Sequence, residues 1–346
     1  MTISVTVKKL TSIKINGNFM NYTELRQILT GFQKSRILLT AYELDLFTFI
    51  DDKSYSSESI SKALDLDKNA TERLLNALVA LKLMEKKNEN YSNSKEGLMF
   101  LSKNSPDYLG GLMHTNHLWN TWSHLTNVVK TGKVAHREEI NERGEEWLEA
   151  FINAMYDRGK KHSPTQLSKI DIKNVDSVLD VGGGSGCFCM EFINRKPGLK
   201  AAIFDLPNVI PISKKIIEKE GYSGKIEHYS GDYISDELPK GFDLLFMSAI
   251  IHSNSFEINQ KLVKKCYNSL NANGKIVIQD WIMNDKKTSP IQGAIFSINM
   301  LVGVEGGDCY SEHEVSTWMK NAGFADISKV VLESGIAQMI GVKKQR

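Results

Sequence analysis

Residues 176–193 read DSVLDVGGGSGCFCMEFI, and this stretch decides the fold. An apolar run ends at Asp180, passes directly into a run of glycines, and continues as a segment with helical spacing. A strand that turns through glycines into a helix lets a ligand approach the backbone closely, because no side chain stands in the way. The stretch therefore predicts a cofactor loop at the carboxyl end of a strand in an α/β domain.

The spacing of the glycines distinguishes between cofactors. A dinucleotide fingerprint starting at Gly182 would need glycine or alanine at the position of Cys187. The sequence instead has Gly182, Gly184 and Gly186. This tighter spacing after an acidic residue is typical of class I methyltransferases, whose cofactor carries a sulfonium and an amino-acid group and has no pyrophosphate.

The next two strand-like runs also end on candidate cofactor residues. The run AAIFD ends on Asp205, 19 residues after Gly186, where a carboxylate can accept hydrogen bonds from two ribose hydroxyls. The following run leads into Asp232 and Tyr233, which offer a carboxylate for an adenine amino group and a ring for the adenine face. Each acidic residue alone could be a helix cap. Their order at successive strand ends favours one shared site.

The part of the chain after Pro164 has the pattern of a doubly wound sheet. Seven strand-like runs follow one another, and they read SVLDV, AAIFD, KIEHY, FDLLFMS, GKIVIQD, ISKVVLE and AQMIGVK. The first five alternate with helical stretches, which predicts parallel strands, and the last two are close enough to pair antiparallel at the edge. We therefore expect a Rossmann-like seven-stranded α/β domain over residues 166–346.

The N-terminal part has the pattern of a winged helix. Apolar residues recur at helical spacing from Tyr22 to Ile50 and again from Thr71 to Leu83, with a short periodic segment between them. A polar tip between Met84 and Tyr91 then predicts a β-hairpin. We expect a winged-helix domain over residues 1–105 and a helical, aromatic bridge over residues 106–165 that lines an acceptor pocket.

A winged helix can bind DNA or form a dimer. The segment NATERLLNALVALKL, which would be the recognition helix, carries only Arg73 and Lys82 as cations and is rich in leucine. The chain as a whole has 43 Lys and Arg residues against 41 Asp and Glu, without a concentrated basic stretch. Dimerisation is therefore favoured over nucleic-acid binding.

Composition also bounds the location of the protein. No apolar run reaches the roughly 18 residues of a membrane span, and the first residues lack the apolar core of a signal peptide. Four cysteines are too few and too badly spaced for a disulfide framework or a zinc cage. We expect a cytoplasmic protein without membrane contact, with reduced thiols and no metal.

The chain resembles the small-molecule O-methyltransferases of the caffeic-acid and hydroxyindole type over nearly its whole length. The segments that carry the resemblance are AYELDLFTFI, LLNALVALKLME, WNTWSHLTNVVKTGK, FINAM, LDVGGGSG, FDLP, GDY, FMSAIIH, GKIVIQD and NMLVGVEGG. The resemblance implies a homodimer formed through the N-terminal domain. It also implies S-adenosyl-L-methionine as methyl donor, S-adenosyl-L-homocysteine as product, and a small-molecule acceptor.

The resemblance further implies two sets of binding residues. The implied cofactor contacts are Asp180, Gly182, Gly184, Asp205, Leu206, Asp232, Tyr233 and Ser248. The implied acceptor-pocket residues are Trp119, Met155, Tyr156, His162, Phe296, Asn299 and Met300.

The resemblance also implies a general base. In the family a histidine after the fourth strand takes the proton of the acceptor hydroxyl, and this place holds His252. Of the two acidic residues that normally steady this imidazole, the first aligns with Asp280 and the second falls on Cys309. A shift in register would let Asp308 or Glu305 take the second place.

Two alternatives stay open at the level of sequence. Ser253, Asn254 and Cys309 depart from the family pattern, which leaves room for methylation at carbon or nitrogen, or for a cofactor-bound enzyme that transfers no methyl group. The second alternative is a DNA-binding regulator that senses a ligand. The sequence does not identify the methyl acceptor.

Overall fold

The structure is a computed structural model that describes residues 21–134, 144–332 and 335–345. The chain divides into two compact units, Met1–Asp107 and Tyr108–Arg346. The first residues, where the sequence lacks a signal peptide pattern, lie outside the described part. The second unit groups the expected bridge with the sheet domain, and the three-part division with boundaries at 105 and 165 remains a prediction.

In its described residues, 21–107, the N-terminal unit combines five helices with a small sheet. These elements are α1 (Tyr22–Glu43), α2 (Leu46–Ile50), β1 (Tyr55–Ser56), α3 (Ser57–Ala63), α4 (Lys68–Ala80), β2 (Met84–Lys87), β3 (Asn90–Asn93) and α5 (Lys95–Leu101). Strands β2 and β3 form the predicted hairpin, and β1 pairs antiparallel with β3. Two helices followed by a hairpin confirm the expected winged helix.

The helical pattern from Tyr22 to Ile50 is divided between two helices. Helix α1 ends at Glu43, and Asp45 takes a left-handed backbone with φ of 55° before α2 begins. The break turns the short helix α2 so that Leu46, Phe47 and Ile50 are all buried. Burial of these three side chains therefore outweighs the continuity of the helix.

The second unit is a seven-stranded sheet covered by helices. Its helices are α6 (Leu112–Trp122), α7 (Leu125–Thr131), α8 (Glu145–Leu167), α9 (Cys187–Arg195), α10 (Ile210–Lys219), α11 (Phe256–Ser269), α12 (Ile291–Gly303) and α13 (Glu312–Ala322). Its strands are β4 (Ser177–Val181), β5 (Lys200–Asp205), β6 (Ile226–Ser230), β7 (Phe242–Ser248), β8 (Leu270–Asp280), β9 (Ala325–Val331) and β10 (Ala337–Val342).

The order of the strands is β6-β5-β4-β7-β8-β10-β9. The first five are parallel, and β10 runs antiparallel to both β8 and β9. This order confirms the predicted Rossmann-like sheet. It also puts the ends of β4, β5, β6 and β7 along one edge, where ligands bind in such folds.

Both faces of the sheet are buried. Leu179 and Val181 of β4 pack in the cluster around Trp318, whereas Val178 packs in a second cluster with Phe192. Alternate residues of one strand therefore enter two different cores. This explains why the parallel strands read as nearly continuous apolar runs.

Helices α8 and α9 approach each other closely near the glycine loop. A Cβ atom added at Gly159 of α8 would lie 2.3 Å from the Cys187 sulfur. The space for the Cys187 side chain is therefore provided by a glycine on the facing helix.

All four cysteines are free and buried. Among residues 21–134, 144–332 and 335–345, no group of three or more His, Cys, Asp or Glu side chains could hold a metal ion. No helix in this same part of the chain is long and apolar enough to cross a membrane.

Candidate active site

The glycine loop after β4 needs glycine at two of its positions. Gly182 and Gly184 have φ angles of +69° and +51°, a region that residues with a Cβ atom rarely adopt. A Cβ atom at Gly182 would also lie 2.2 Å from Cδ1 of Ile250, just beyond β7. The loop therefore exposes backbone rather than side chains.

Asp205 at the end of β5 binds the loop with both carboxylate oxygens. Its Oδ2 accepts the Gly184 N–H and its Oδ1 accepts the Leu206 N–H, each over 2.7 Å. Burial raises the pKa of Asp205 to about 6, while the two backbone N–H groups favour the charged form. The carboxylate is thus mainly ionised at neutral pH and keeps lone pairs for further donors.

Asp180 lies beneath the loop. Only 1% of the residue is exposed, and its Oδ2 has no hydrogen-bond partner among the described residues. Burial and the nearby charge of Asp205 raise the pKa of Asp180 to about 8. The carboxyl group shapes the loop from below, and its direct contact with a cofactor remains a prediction.

The residues after β6 belong to the same edge of the sheet. Asp232 Oδ1 accepts the Ile234 N–H over 2.8 Å, so part of this carboxylate stabilises its own turn. The Tyr233 hydroxyl donates to Asn254 Oδ1 over 3.2 Å, and burial raises the pKa of Tyr233 to about 12. Tyr233 therefore stays neutral and links this edge to the segment that follows β7.

His252 and Asp280 form a close pair. His252 lies on the short 3-10 turn Ile251–Ser253 after β7, and Asp280 ends the neighbouring strand β8. The imidazole Nδ1 is 3.0 Å and 2.9 Å from the two carboxylate oxygens, and the side chains are 12% and 3% exposed. An Nδ1–H donated to Asp280 leaves Nε2 free to accept a proton.

The backbone between β7 and this turn is strained. Ala249 has a φ of 59°, which costs a residue with a Cβ atom roughly 1–2 kcal/mol. Its N–H donates to the Gln279 carbonyl over 2.9 Å, and this bond holds the conformation. The strain lies between Ser248 and His252, two predicted site residues.

The place of the second acidic residue holds a neutral thiol. Cys309 is 2% exposed, and burial together with the charge of Asp280 raises the thiol pKa to about 12. Asp308 does not take its place, because its carboxylate accepts hydrogen bonds from Ser297 over 2.6 Å and Lys287 over 2.7 Å. Asp280 is the one carboxylate within hydrogen-bond distance of the His252 ring in the described chain.

Helix α12 brings part of the predicted acceptor pocket to His252. The Phe296 ring meets the His252 ring edge-on, with centroids 4.8 Å apart. The side-chain oxygen Oδ1 of Asn299 accepts a hydrogen bond from Trp122 Nε1 over 2.8 Å, which connects α6 to α12. Met300 is 6% exposed. The resemblance also implies Trp122 as an acceptor-pocket residue, and its contact with an acceptor remains a prediction.

The predicted residues of α8 are less closely tied to this place. Tyr156 packs among apolar side chains between α8 and α10, and Lys160 Nζ lies 5.4 Å from its ring. Met155 is half-buried, as is Trp119 on α6, and His162 is exposed. Acceptor contacts of Met155, Tyr156, His162 and Trp119 remain predictions.

The sequence matches two domains of one family. An O-methyltransferase domain matches residues 122–325, and an O-methyltransferase dimerisation domain matches residues 26–103. The first match alone covers more than half of the chain.

Individual relatives are distant but span most of the chain. The chain is 28% identical over 314 residues to the 3-hydroxy-5-methyl-1-naphthoate 3-O-methyltransferase of Streptomyces sahachiroi, which covers 89% of this chain and 91% of that enzyme. It is 27% identical over 312 residues to the N,N-dimethyltransferase OxyT of Streptomyces rimosus, with coverage of 87% and 90%.

A solved structure agrees with the fold. The crystal structure of human N-acetylserotonin methyltransferase in complex with SAM superposes with a TM-score of 0.82 at 22% identity, over 95% of this chain and 100% of that chain. The two domain matches show that the chain belongs to the O-methyltransferase family, which uses S-adenosylmethionine. The glycine loop and the His252–Asp280 pair agree with this assignment.

Proposed function

We propose that this enzyme methylates the hydroxyl oxygen of a small aromatic acceptor, with His252 as general base. The His252–Asp280 pair carries the proposal, because its free Nε2 can accept a proton and the Phe296 ring lies against it. The relative from Streptomyces sahachiroi is named for methylation at an oxygen of a hydroxynaphthoate, which supports a similar acceptor class here.

The residues at the sheet edge fit S-adenosylmethionine. When bound, this cofactor supplies an electrophilic methyl group on a positively charged sulfur. Asp205 would accept hydrogen bonds from ribose hydroxyls, Asp232 and Tyr233 would hold the adenine, and the loop of Gly182 and Gly184 would admit the amino-acid part. The Asp180 carboxyl, whose pKa is raised to about 8, is mostly protonated at neutral pH, and a cationic ligand over this loop would favour its ionised form.

His252 would take the acceptor's proton as the oxygen attacks. A phenol has a pKa of about 10 and is mostly protonated at neutral pH, so its oxygen needs a base. Asp280 orients the ring through Nδ1 and stabilises the imidazolium that forms. General-base catalysis of this kind typically contributes about a hundredfold to ten-thousandfold, while positioning of the reactants supplies more.

Methylation at nitrogen is the second candidate. The relative OxyT is named as an N,N-dimethyltransferase, and Ser253, Asn254 and Cys309 depart from the family pattern around the base. A neutral amine can attack without losing a proton first, so it has less need of a general base. The preserved His252–Asp280 pair therefore favours oxygen.

We also propose a homodimer formed through the N-terminal unit. Tyr22, Leu25, Leu29 and Phe32 lie on one face of α1 at three- and four-residue spacing, and each is 47–75% exposed. The match to a dimerisation domain supports this use. Light scattering after gel filtration should give a dimer for wild type and Lys34→Glu and a monomer for a Leu29→Glu, Phe32→Glu double variant.

A cytoplasmic location and the absence of nucleic-acid binding also stay proposals. Four buried thiols suit a reducing compartment. In the recognition-helix position, Lys68 of α4 is engaged by Glu58 over 2.8 Å, which further lowers the cationic character of this surface.

The decisive experiment is mass spectrometry of the protein incubated with S-adenosylmethionine and a panel of phenols, hydroxyindoles and hydroxynaphthoates. We expect one acceptor class to gain 14 mass units, a product that falls about a hundredfold or more with His252→Ala. His313→Ala is the matched control, because His313 is exposed on α13. Cofactor binding without any methylated phenol, or methylation of arylamines only, would contradict the proposal.

A further inference from the structure

Three polar side chains form a row across the sheet. Ser248 of β7 pairs in register with Gln279 of β8, and Gln279 pairs with Gln338 of β10. Directly opposed residues on neighbouring strands share a face, so the three side chains stand side by side. The two glutamines are 2% and 0% exposed, so the row is buried except at Ser248.

The hydrogen bonds of this row run in one direction. Gln338 Nε2 donates to the side-chain oxygen Oε1 of Gln279 over 2.8 Å, and to the main-chain carbonyl of Gln166 over 2.9 Å. Gln279 Nε2 in turn donates to Ser248 Oγ over 2.9 Å, and to the Gln166 side-chain oxygen over 3.1 Å. Both hydrogens of each amide nitrogen are therefore used.

The direction cannot be reversed. The main-chain carbonyl of Gln166 only accepts hydrogen bonds, so Gln338 must present its NH2 group there. That orientation requires Gln279 to present its oxygen to Gln338 and its NH2 group to Ser248. The Ser248 oxygen is consequently an acceptor inside the row, and its own hydrogen remains to be donated elsewhere.

Ser248 lies at the cofactor edge. In the register of β4 and β7, Asp180 pairs with Phe246, so Ser248 stands level with Gly182 at the start of the glycine loop. Among the described residues, the hydrogen bond formed by the Ser248 hydroxyl is the one with Gln279, in which the serine oxygen accepts. The hydrogen is therefore available to a ligand in the cleft.

We propose that Gln338 and Gln279 are positioning residues that make Ser248 an obligate hydrogen-bond donor to the cofactor, an inference that rests on the proposed binding of S-adenosylmethionine at this edge. The partner is an acceptor atom of the cofactor, either a carboxylate oxygen of the amino-acid part or an atom of the nucleoside. The buried glutamines thus tune cofactor affinity without touching the cofactor.

The test is a double-mutant cycle on cofactor affinity, measured by calorimetry well below the melting temperature. We expect Ser248→Ala and Gln279→Met each to raise the Kd for S-adenosylhomocysteine about three- to tenfold, the effect of one hydrogen bond. In the Ser248→Ala background, Gln279→Met should change the Kd no further, because the glutamine acts through the serine.

Ser269→Ala is the matched control for lost buried hydroxyls. Ser269 is 1% exposed, and its hydroxyl donates to the Pro239 carbonyl at the opposite end of β7. We expect it to lower the melting temperature and leave the Kd unchanged. If Gln279→Met does not fold, Gln338→Met replaces it in the cycle. Without Gln338 the Gln279 amide can rotate and present its oxygen to Ser248. We therefore expect Gln338→Met to raise the Kd only when Ser248 is present.

The possible outcomes separate this inference from the proposed function. A wild type that does not bind S-adenosylhomocysteine overturns the cofactor site itself. Normal binding by wild type, with an unchanged Kd in both glutamine variants or an equal loss with and without Ser248, overturns the positioning role alone. Methylthioadenosine, which lacks the amino-acid part, locates the acceptor atom: if Ser248→Ala weakens it equally, the nucleoside accepts the bond, and if not, the carboxylate does.

Discussion

The cofactor edge and the His252–Asp280 pair differ in how far their polar groups are hydrogen-bonded within the protein. At the cofactor edge, formed by Asp180, Gly182, Asp205 and Ser248, polar groups are left with unused hydrogen-bonding capacity or carry raised pKa values. The His252–Asp280 pair has its bonds within the protein, with Asp280 buried and both of its oxygens at the imidazole. By the proposed function, S-adenosylmethionine would complete the first region, whereas the hydrogen bonds of the pair are already formed in the free protein.

The difference has a physical reason. A cationic cofactor can offset two clustered carboxylates when it binds, so the free protein tolerates them at some cost in stability. A general base must already be oriented when the acceptor arrives, because misorientation lowers the rate directly. Substitutions at the edge should therefore change affinity, and substitutions in the pair should change turnover.

The largest effect is expected for Asp280→Asn. The amide can present its NH2 group to Nδ1, which favours the tautomer that carries its proton on Nε2 and cannot accept another. We expect kcat to fall about a hundredfold to ten-thousandfold with little change in cofactor Kd. Steady-state kinetics with a phenolic acceptor measure this.

Exposed Asp285 provides the matched control for that variant, since Asp285→Asn should leave kcat unchanged. The loss in Asp280→Asn should also shrink with a nitrophenol, whose lower pKa reduces the need for a base. An equal loss with acidic and weakly acidic phenols would show that Asp280 acts only by holding the structure.

Asp205→Asn should give the next largest effect, and on affinity. An asparagine oxygen can accept only one of the two N–H groups of Gly184 and Leu206, and its NH2 group faces the other. Hydrogen bonds to a charged group are worth about 1.5–3 kcal/mol, which corresponds to a roughly 10- to 100-fold higher Kd for S-adenosylmethionine. Turnover at saturating cofactor should stay near wild type.

Calorimetry on Asp205→Asn and on Asp176→Asn makes the comparison, because Asp176 lies exposed at the other end of β4. Equal affinities in the two variants would mean that Asp205 serves the loop and not the ligand.

The cofactor edge could be predicted from the sequence much better than the acceptor side. Gly182 and Gly184 follow from local spacing because they lie in the loop between a strand and a helix, and Asp205 follows because it ends the next strand. The parallel sheet then brings these positions to one edge. The row of Gln279 and Gln338 could not be predicted, since it depends on the register of strands far apart in the chain. The same holds for Trp122 and Asn299, which meet only because α6 packs on α12.

The next largest effect is expected for Asp180→Asn, which measures how much the buried carboxyl group at the cofactor edge lowers the free energy of unfolding. Its pKa is raised to about 8 in the folded protein against 3.8 in the unfolded chain. Between these values the unfolded chain has released a proton that the folded protein keeps, so the free energy of unfolding of wild type falls as pH rises. The Asp180→Asn variant does not lose stability in this way, because it has no carboxyl group at this position. The melting temperature of the variant minus that of wild type should therefore increase by at most about 2–4 °C per pH unit up to pH ~8.

Thermal melts of both proteins without cofactor, at several values between pH 5 and 9, measure the difference. The two curves should separate with rising pH and run parallel above pH ~8. Curves that are parallel throughout would show that burial does not raise the pKa of Asp180. The cofactor edge would then carry no measurable cost in stability from this carboxyl group.

The smallest effect is expected for Cys309→Ala. The thiol is neutral because burial raises its pKa to about 12, so it cannot supply the negative charge of the second acidic residue that the resemblance predicts here. Asp308 is bound by Lys287 and Ser297 and does not replace it either. We expect kcat within about threefold of wild type and a loss of roughly 1 kcal/mol in the free energy of unfolding from the small cavity.

Kinetics and denaturant unfolding on the same preparation separate these two quantities for Cys309→Ala. A fall in kcat of about 30-fold or more, well beyond what the loss of packing explains, would mean that the thiol holds the base in place. The unchanged rate that we expect means instead that one buried carboxylate suffices to orient the imidazole. The His252–Asp280 pair would then differ from the cofactor edge, because its imidazole is oriented without a ligand and without a third residue.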